Sequence, residues 1–127
     1  RGESRPESRP VAVGVLSYPV PSCAPREKFL GRTRFSRSEN LRFANANIRT
    51  ISRVIVHPQF RSIGLASALV RDLCARAGVR YVEAMAHMGR AHPLFERAGM
   101  TRIDPESDDK PIYFVFDSSP RRPREAT

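Results

Sequence analysis

The stretch that decides the fold runs from Ile51 to Gly78 and reads I-S-R-V-I-V-H-P-Q-F-R-S-I-G-L-A-S-A-L-V-R-D-L-C-A-R-A-G. Its first part is rich in β-branched residues and ends at a proline, which predicts a strand over 51–57. The apolar side chains that follow recur at helical spacing, with three leucines on one stripe, so a helix over 64–77 is expected. Gly78 is suited to end that helix.

The same alternation continues toward the C-terminus. Pro93 and Gly99 are placed to begin and end a short helix over about 91–98. Apolar runs around this helix predict three further strands, at 81–86, 100–103 and 111–117. The order of elements after residue 51 is therefore strand, helix, strand, helix and two strands, which predicts an α/β fold.

Toward the N-terminus the pattern is less regular. The run V-A-V-G-V-L-S-Y at 11–18 predicts a strand that ends at Pro19. Three prolines, at 19, 21 and 25, predict an irregular stretch after it. Ser36 and Glu39 then have the spacing of a capping box, which predicts a helix over about 37–46.

The 127 residues are enough for one domain, and their net charge is +9, with 20 arginines among the 22 basic residues. No apolar run approaches the roughly 20 residues of a membrane span, and the start has no hydrophobic signal segment, so a cytoplasmic protein without a membrane partner is expected. Segments 1–10 and 118–127 are predicted to be disordered basic tails. Cys23 and Cys74 are expected to be free thiols, and no metal site is predicted.

The loop between strand 51–57 and helix 64–77 is the best candidate for ligand binding. A strand that runs into a helix through a glycine loop leaves several backbone N–H groups unpaired at the helix start, where the helix dipole also favours an anion. Gly64 and Ala66 leave room for phosphate oxygens, and the hydroxyl of Ser67 can donate a hydrogen bond. The loop therefore predicts a phosphate-binding site, although R-x-x-G-x-A alone is a short pattern.

This loop, with the strand end Val56-His57-Pro58 before it, resembles the acetyl-coenzyme A motif of the GNAT superfamily of N-acetyltransferases. The segment from His92 to Met100 is similar to that family's closing motif. The segments T-I-S-R-V-I-V-H-P at 50–58 and M-G-R-A-H-P-L-F-E-R-A-G-M at 88–100 resemble the acetyltransferase-like domain attached to some ATP-binding-cassette proteins. The resemblance implies a mixed, mostly antiparallel sheet flanked by helices over 11–117, with 19–50 as an insertion. It also implies that the family's N-terminal strand and helices are missing. Either the chain is a fragment of a longer protein, or the insertion together with a partner domain or homodimer completes the acceptor site.

The same resemblance implies transfer of an acetyl group from acetyl-CoA to an amine acceptor of unknown class, by direct attack. The pantetheine arm is expected in a splay between the strands 51–57 and 81–86, and the pyrophosphate on the loop backbone. The residues so implied in cofactor binding are Val54, Ile55, Val56, Arg61, Ser62, Ile63, Gly64, Leu65, Ala66, Ser67 and Phe95.

The catalytic acid and base are less clear. Phe95 stands where the family commonly has a tyrosine that protonates the leaving thiolate, and phenylalanine has no proton to give. Tyr113 is the candidate substitute, with Tyr81 as another. Glu83, a carboxylate in an apolar strand, is the candidate base if burial raises its pKa. The alternative is that Glu83 faces water or pairs with an arginine.

The arginine surplus leaves a second class of function open. A catalytically weak GNAT-like domain could use an arginine-rich surface to bind nucleic acid or a partner protein. An ordinary solvated surface explains the same charges. Five arginines could form such a face: Arg32, Arg34, Arg37, Arg42 and Arg49. His57 is expected to be structural, whereas His87 and His92 fall near the expected acceptor entrance.

Overall fold

A computed structural model describes residues 11–60, 64–87, 93–107 and 109–119, and the features below are those of this part of the chain. Its helices are α1 (Ala24–Leu30), α2 (Arg37–Asn47), α3 (Leu65–Arg76) and α4 (Leu94–Arg97), with a single 3-10 turn at Pro58–Phe60. Its strands are β1 (Ala12–Ser17), β2 (Ile48–Val56), β3 (Tyr81–Ala86), β4 (Thr101–Ile103) and β5 (Ile112–Asp117).

The strands form one sheet in the order β1-β2-β3-β5-β4. The β2–β3 pair is parallel, and the other three pairs are antiparallel. The helix α3 connects the two parallel strands, as a parallel crossover requires. This arrangement confirms the predicted mixed, mostly antiparallel sheet flanked by helices.

Helices cover both faces of the sheet, so the core has two layers. On one face, β3 and β5 contribute Val82, Ala84, Ile112 and Phe114 to a cluster with α3 and α4. On the other face, Tyr81, Tyr113 and Val115 pack with Cys23 and Ala44 from the α1 and α2 side. Successive strand residues therefore alternate between the two layers, as the pleat dictates.

Close packing explains the glycine in the edge strand β1. A Cβ atom added to Gly14 would lie 2.6 Å from Cδ1 of Leu73 in α3, well inside van der Waals contact. The helix therefore sits directly on the β1 backbone at this point. Leu69 and Leu73, two leucines of the predicted helical stripe, lie nearest to that added atom, so this stripe faces the sheet.

The helix α1 was not expected from the sequence, and the prediction of an irregular stretch is wrong for residues 24–30. Pro25 lies in the first turn of α1, where a backbone N–H has no helical partner to lose. Gly31 ends the helix in the left-handed region, at φ 68°. Pro25 and Gly31 are the sequence signals for the two ends of this helix, but the three prolines at 19, 21 and 25 together led to the prediction of an irregular stretch.

Most other elements agree with their predictions. In α2, the Ser36 hydroxyl accepts from the Glu39 backbone N–H, and the Glu39 carboxylate accepts from the Ser36 N–H, which confirms the capping box. The strand predicted to start at residue 51 starts at Ile48, because the end of α2 leads directly into it. Both α1 and α2 lie inside the segment 19–50 that the sequence interpretation treats as an insertion.

Two sets of predictions fall partly on residues that the structure does not describe. Of the helix predicted over 91–98, the described part is Leu94–Arg97. Of the predicted tails, residues 1–10 and 120–127 lie outside the described residues, while the Ser118 N–H donates to the Arg80 carbonyl at 2.8 Å. Among the described helices, none has the length and apolar content to cross a membrane.

Candidate functional site

The parallel strands β2 and β3 separate at a defined point. They pair at three positions, Ile48 with Tyr81, Arg49 with Val82 and Thr50 with Glu83. Both strands continue beyond the last pair, to Val56 and Ala86 respectively, without pairing with each other. This is the pairing pattern that the predicted splay requires.

A β-bulge in β2 accompanies the separation. Val15 of β1 pairs with Arg53, but the next residue, Leu16, pairs with Ile51, so Ser52 is the extra residue. A bulge bends its strand and increases the local twist, which carries the rest of β2 away from β3. Beyond the bulge, Ile55 is 49% exposed while Val54 and Val56 are half-buried.

The start of α3 follows β2 through one 3-10 turn. Gly64 is the N-cap of α3 and adopts φ 77°, and a Cβ atom added there would meet no atom of the described residues within 4 Å. Helical hydrogen bonding begins with the Ala68 N–H, which donates to the Gly64 carbonyl at 3.1 Å. The N–H groups of the preceding turn, Leu65 to Ser67, have no partner within the helix. Arg61, Ser62 and Ile63 lie outside the described residues.

The two residues predicted to be catalytic, Glu83 and Tyr113, are in contact in the core. Glu83 has no exposed surface, and its Oε1 accepts from the Tyr113 hydroxyl at 2.8 Å and from Arg26 Nε at 2.8 Å. Its Oε2 accepts from Arg26 Nη2 at 2.7 Å and from the Thr50 hydroxyl at 2.7 Å. Each carboxylate oxygen thus accepts two hydrogen bonds, and Arg26 binds the carboxylate with two nitrogens.

These contacts show the arginine pairing that the sequence left open for Glu83. Arg26 is itself only 3% exposed, so the ion pair is buried on both sides. Burial, together with the adjacent Glu83 carboxylate, raises the pKa of Tyr113 above its ordinary value, and a phenol with a raised pKa is a weaker acid. The catalytic assignment of both residues stays a prediction, and the geometry favours a structural anchor.

The anchor connects four elements at the point where the strands part. Thr50 and Glu83 are the last β2–β3 pair, Tyr113 belongs to β5, and Arg26 belongs to α1. Arg26 and Thr50 were not identified from the sequence. A glutamate inside an apolar strand left pairing with an arginine open as one alternative, but the partner is 57 residues away in the sequence.

The two other aromatic candidates pack in the core layers. The Phe95 ring is half-buried, with its centroid 5.0 Å from that of Phe114. Its predicted contact with the cofactor stays a prediction. Tyr81 is 8% exposed and lies on the α2 side of the sheet, beside Phe43.

A cavity of about 460 Å³ opens on the α1 side of the sheet. Its walls come from the start of α1, the end of β3 and the connection between β4 and β5. Most of the lining is apolar and includes Cys23, Pro25, Phe29, Met85, Ile103 and Pro111. Met85 lies two residues after Glu83, on the same face of β3. The cavity therefore reaches β3 two residues beyond its last pair with β2. Sequence reasoning missed it because α1 was not predicted.

The structure also describes both thiols and two of the three histidines. Cys23 and Cys74 are both buried and free, as predicted. Among the described residues, no three His, Cys, Asp or Glu side chains cluster as a metal site. The His57 ring accepts a hydrogen bond from the Gln59 N–H at 3.2 Å, which agrees with a structural role. His87 is exposed, and His92 lies outside the described residues.

Comparison with known families adds to this geometry. Residues 17–100 match the model of the acetyltransferase (GNAT) family. The match contains α1, α2, the β2 bulge, the start of α3, β3 and α4. The chain belongs to the GNAT family. A comparison with curated proteins gives no match. Membership in the GNAT family assigns acetyltransfer to this domain in general terms, and it confirms the resemblance that the loop at 58–67 and the segment 92–100 indicated.

Proposed function

We propose that this GNAT domain is an acetyl-CoA-dependent N-acetyltransferase that holds its cofactor between β2 and β3 and its amine acceptor in the α1-side cavity. The observation that carries the proposal is that β2 stops pairing with β3 at Thr50 and then leads directly to the start of α3. An extended pantetheine arm along the part of β2 that no longer pairs with β3 would end, on the phosphate side, at the first turn of α3.

The start of α3 supplies what a pyrophosphate needs. Gly64 leaves open space in front of the helix, and the N–H groups of Leu65 to Ser67 are donors without helical partners. In this proposal Arg61 adds a charged contact, and the backbone near Val54 to Val56 polarises the thioester carbonyl. The proposal needs hydrogen-bond donors and open space at one place, and the described residues around Gly64 support it.

The proposed chemistry is direct attack by a neutral amine. The acceptor nitrogen forms a bond to the acetyl carbon, the carbon–sulfur bond breaks, and the thiolate leaves and takes up a proton. The nitrogen loses its proton to a base. Glu83 and Tyr113 stay the candidate base and acid from the sequence, but four hydrogen bonds occupy the carboxylate of Glu83. The anchor is the role that these contacts support.

Direct attack predicts that no acetyl group becomes attached to the enzyme. Cys23 lines the cavity and is the obvious nucleophile for a two-step route, but burial raises the pKa of its thiol. Burial also raises the pKa of Cys74, to about 11. Because the thiolate is the reactive form, both thiols are poor nucleophiles at neutral pH. Intact mass spectrometry after incubation with acetyl-CoA alone should show unmodified protein, and stoichiometric acetylation of Cys23 would contradict direct attack.

A specific observation also favours nucleic-acid binding as a second candidate function. From Gly31 to Val56 the chain has six arginines and one acidic residue, Glu39. The Arg32 guanidinium lies 3.9 Å from the centroid of the Phe35 ring and 4.1 Å from that of Phe43, and Phe35 is 45% exposed. Exposed aromatic rings next to arginines are the usual components of surfaces that bind single-stranded nucleic acid.

Salt dependence tests this second function. We expect binding of a single-stranded oligonucleotide to weaken steeply with salt, and the Arg34→Glu/Arg37→Glu variant to weaken it further. That variant should also reduce the salt slope by about one for each phosphate that it no longer neutralises. The matched control is Arg71→Glu/Arg76→Glu on α3, which makes the same change in charge on the other side of the sheet. Equal reductions in affinity in the two variants, or an affinity that does not change with salt, would show that the surface around Arg34 and Arg37 is not a nucleic-acid site. Fluorescence anisotropy measures the affinity and its dependence on salt.

A further inference from the structure

We infer that the acceptor of this enzyme is a small amine with one ammonium group and a compact apolar body, and that its body binds in the α1-side cavity. The inference rests on the proposed acetyltransferase function and specifies its substrate class. Polyamines and lysine-rich peptides are the alternatives that it excludes.

The size and lining of the cavity select a small molecule. A volume of about 460 Å³ falls within the range of small-molecule sites. Two of the lining residues, Phe29 and Met85, are large apolar side chains that are 44% and 37% exposed. Because both side chains line the same cavity, an apolar ligand bound in it would remove apolar surface of both from water.

The charges at the cavity are balanced, and this balance disfavours a polycation. Of the residues that the structure describes, two acidic and two basic ones line it: Asp104, Glu106, Lys28 and Lys110. Lys28 Nζ lies 3.4 Å from Glu106 Oε2, and Arg102 Nε donates to Asp104 Oδ1 at 2.7 Å. Each of these two carboxylates already has a cation beside it, so the lining that the structure describes has no surplus of negative charge for a second or third ammonium. The net charge of +9 repels polycations further.

The position of the cavity brings the amine to the reacting bond. Met85 is two residues beyond Glu83, where β3 has left β2. A ligand whose apolar body contacts Met85 can therefore extend its nitrogen toward the gap between the strands. The wall opposite, α1, is fixed by the buried ion pair of Arg26 with Glu83, so the site is formed before a ligand enters it.

The test compares three acceptors on the intact protein: phenethylamine, spermidine and a lysine-containing peptide. Release of free CoA gives the rates, mass spectrometry identifies the products, and calorimetry gives the affinity for acetyl-CoA separately. We expect kcat/KM for phenethylamine to exceed that for spermidine and for the peptide by about tenfold or more, since the apolar body fills the cavity.

A variant that fills the cavity tests whether the preference for phenethylamine arises there. Met85→Trp should raise KM for phenethylamine by about tenfold and weaken its binding, as seen by saturation-transfer NMR without any turnover, while the Kd for acetyl-CoA stays the same. Val15→Trp is the control, because Val15 is 39% exposed against 37% for Met85 and does not line the cavity.

The outcomes separate the inference from the function on which it rests. If acetyl-CoA binds and spermidine or the peptide is preferred, the substrate class is wrong and the acetyltransferase function stands. If Met85→Trp and Val15→Trp behave alike toward phenethylamine, the cavity is not the acceptor site and the inference fails. If acetyl-CoA does not bind to the folded protein, both the proposed function and the inference fail.

Discussion

Glu83→Gln should lower the free energy of unfolding by about 3–5 kcal/mol, because it leaves the buried guanidinium of Arg26 without its counter-ion. A loss of that size is a large part of the roughly 5–15 kcal/mol that stabilises a typical domain. Thermal melting should therefore show a fall of roughly 10 °C or more in the melting temperature. Glutamine keeps the shape of the side chain, so the effect reports the charge.

Two comparisons make this result specific. Asp72→Asn removes an exposed ion pair with Arg76 and should cost about 0–1 kcal/mol. The double variant Arg26→Met/Glu83→Gln should be more stable than Glu83→Gln alone, because it removes the guanidinium that the single variant leaves without a counter-ion. If Glu83→Gln keeps the wild-type melting temperature but loses turnover, Glu83 is the catalytic base and not the anchor.

Gly64→Val should weaken acetyl-CoA binding by about tenfold to a hundredfold. The branched side chain would occupy the open space in front of α3, and losing one charge-assisted hydrogen bond to a phosphate costs about 1.5–3 kcal/mol. The substitution also strains the backbone, because Gly64 has φ 77°, at a cost of about 1–2 kcal/mol to stability. Binding should be measured where the variant is fully folded.

Gly78→Val is a closely matched control. Gly78 follows the other end of the same helix, has φ 73° and likewise has nothing within 4 Å of an added Cβ atom. The two variants should lose similar stability, and Gly64→Val alone should lose affinity. Equal affinities for acetyl-CoA in the two variants would show that the start of α3 does not bind the cofactor.

The part of the fold that local sequence determines was predictable. The strand at 81–86 was predicted with the bounds that the structure shows, and α3 was predicted to within a residue at either end. In these elements the local signals agree with one another: β-branched residues favour the strand, and a leucine stripe with a glycine at either end favours the helix. The capping box of Ser36 and Glu39 was equally legible, since its residues are only three apart.

Features that depend on distant residues were not predictable. The helix α1 has only seven residues, too few to show clear periodicity, and it is stabilised by the ion pair that Arg26 makes with Glu83 across the core. The cavity between α1 and the β4–β5 connection depends on that packing. The β2 bulge depends on how β1 pairs with Ile51 and Arg53, which no local pattern reveals.

The candidate site shows the same division: its local features were predictable from the sequence, and its long-range contacts were not. The prediction of a phosphate-binding loop around Gly64 follows from a local strand–glycine–helix pattern, and in the structure Gly64 begins α3 with a left-handed backbone. Glu83 and Tyr113 were singled out for their chemistry, and the structure does bring them within 2.8 Å. What the sequence could not decide was whether Glu83 has an arginine partner, because that is a long-range contact.

Titration of acetyl-CoA into the folded wild-type protein, followed by calorimetry, tests the central claim most directly. The proposed geometry, with one arm-binding gap between β2 and β3 and one phosphate site at α3, predicts a saturable heat with one cofactor bound per chain. Acetyl-pantetheine, which lacks the pyrophosphate, should bind far more weakly. The absence of any binding heat at millimolar acetyl-CoA, in protein that melts cooperatively, would contradict the account.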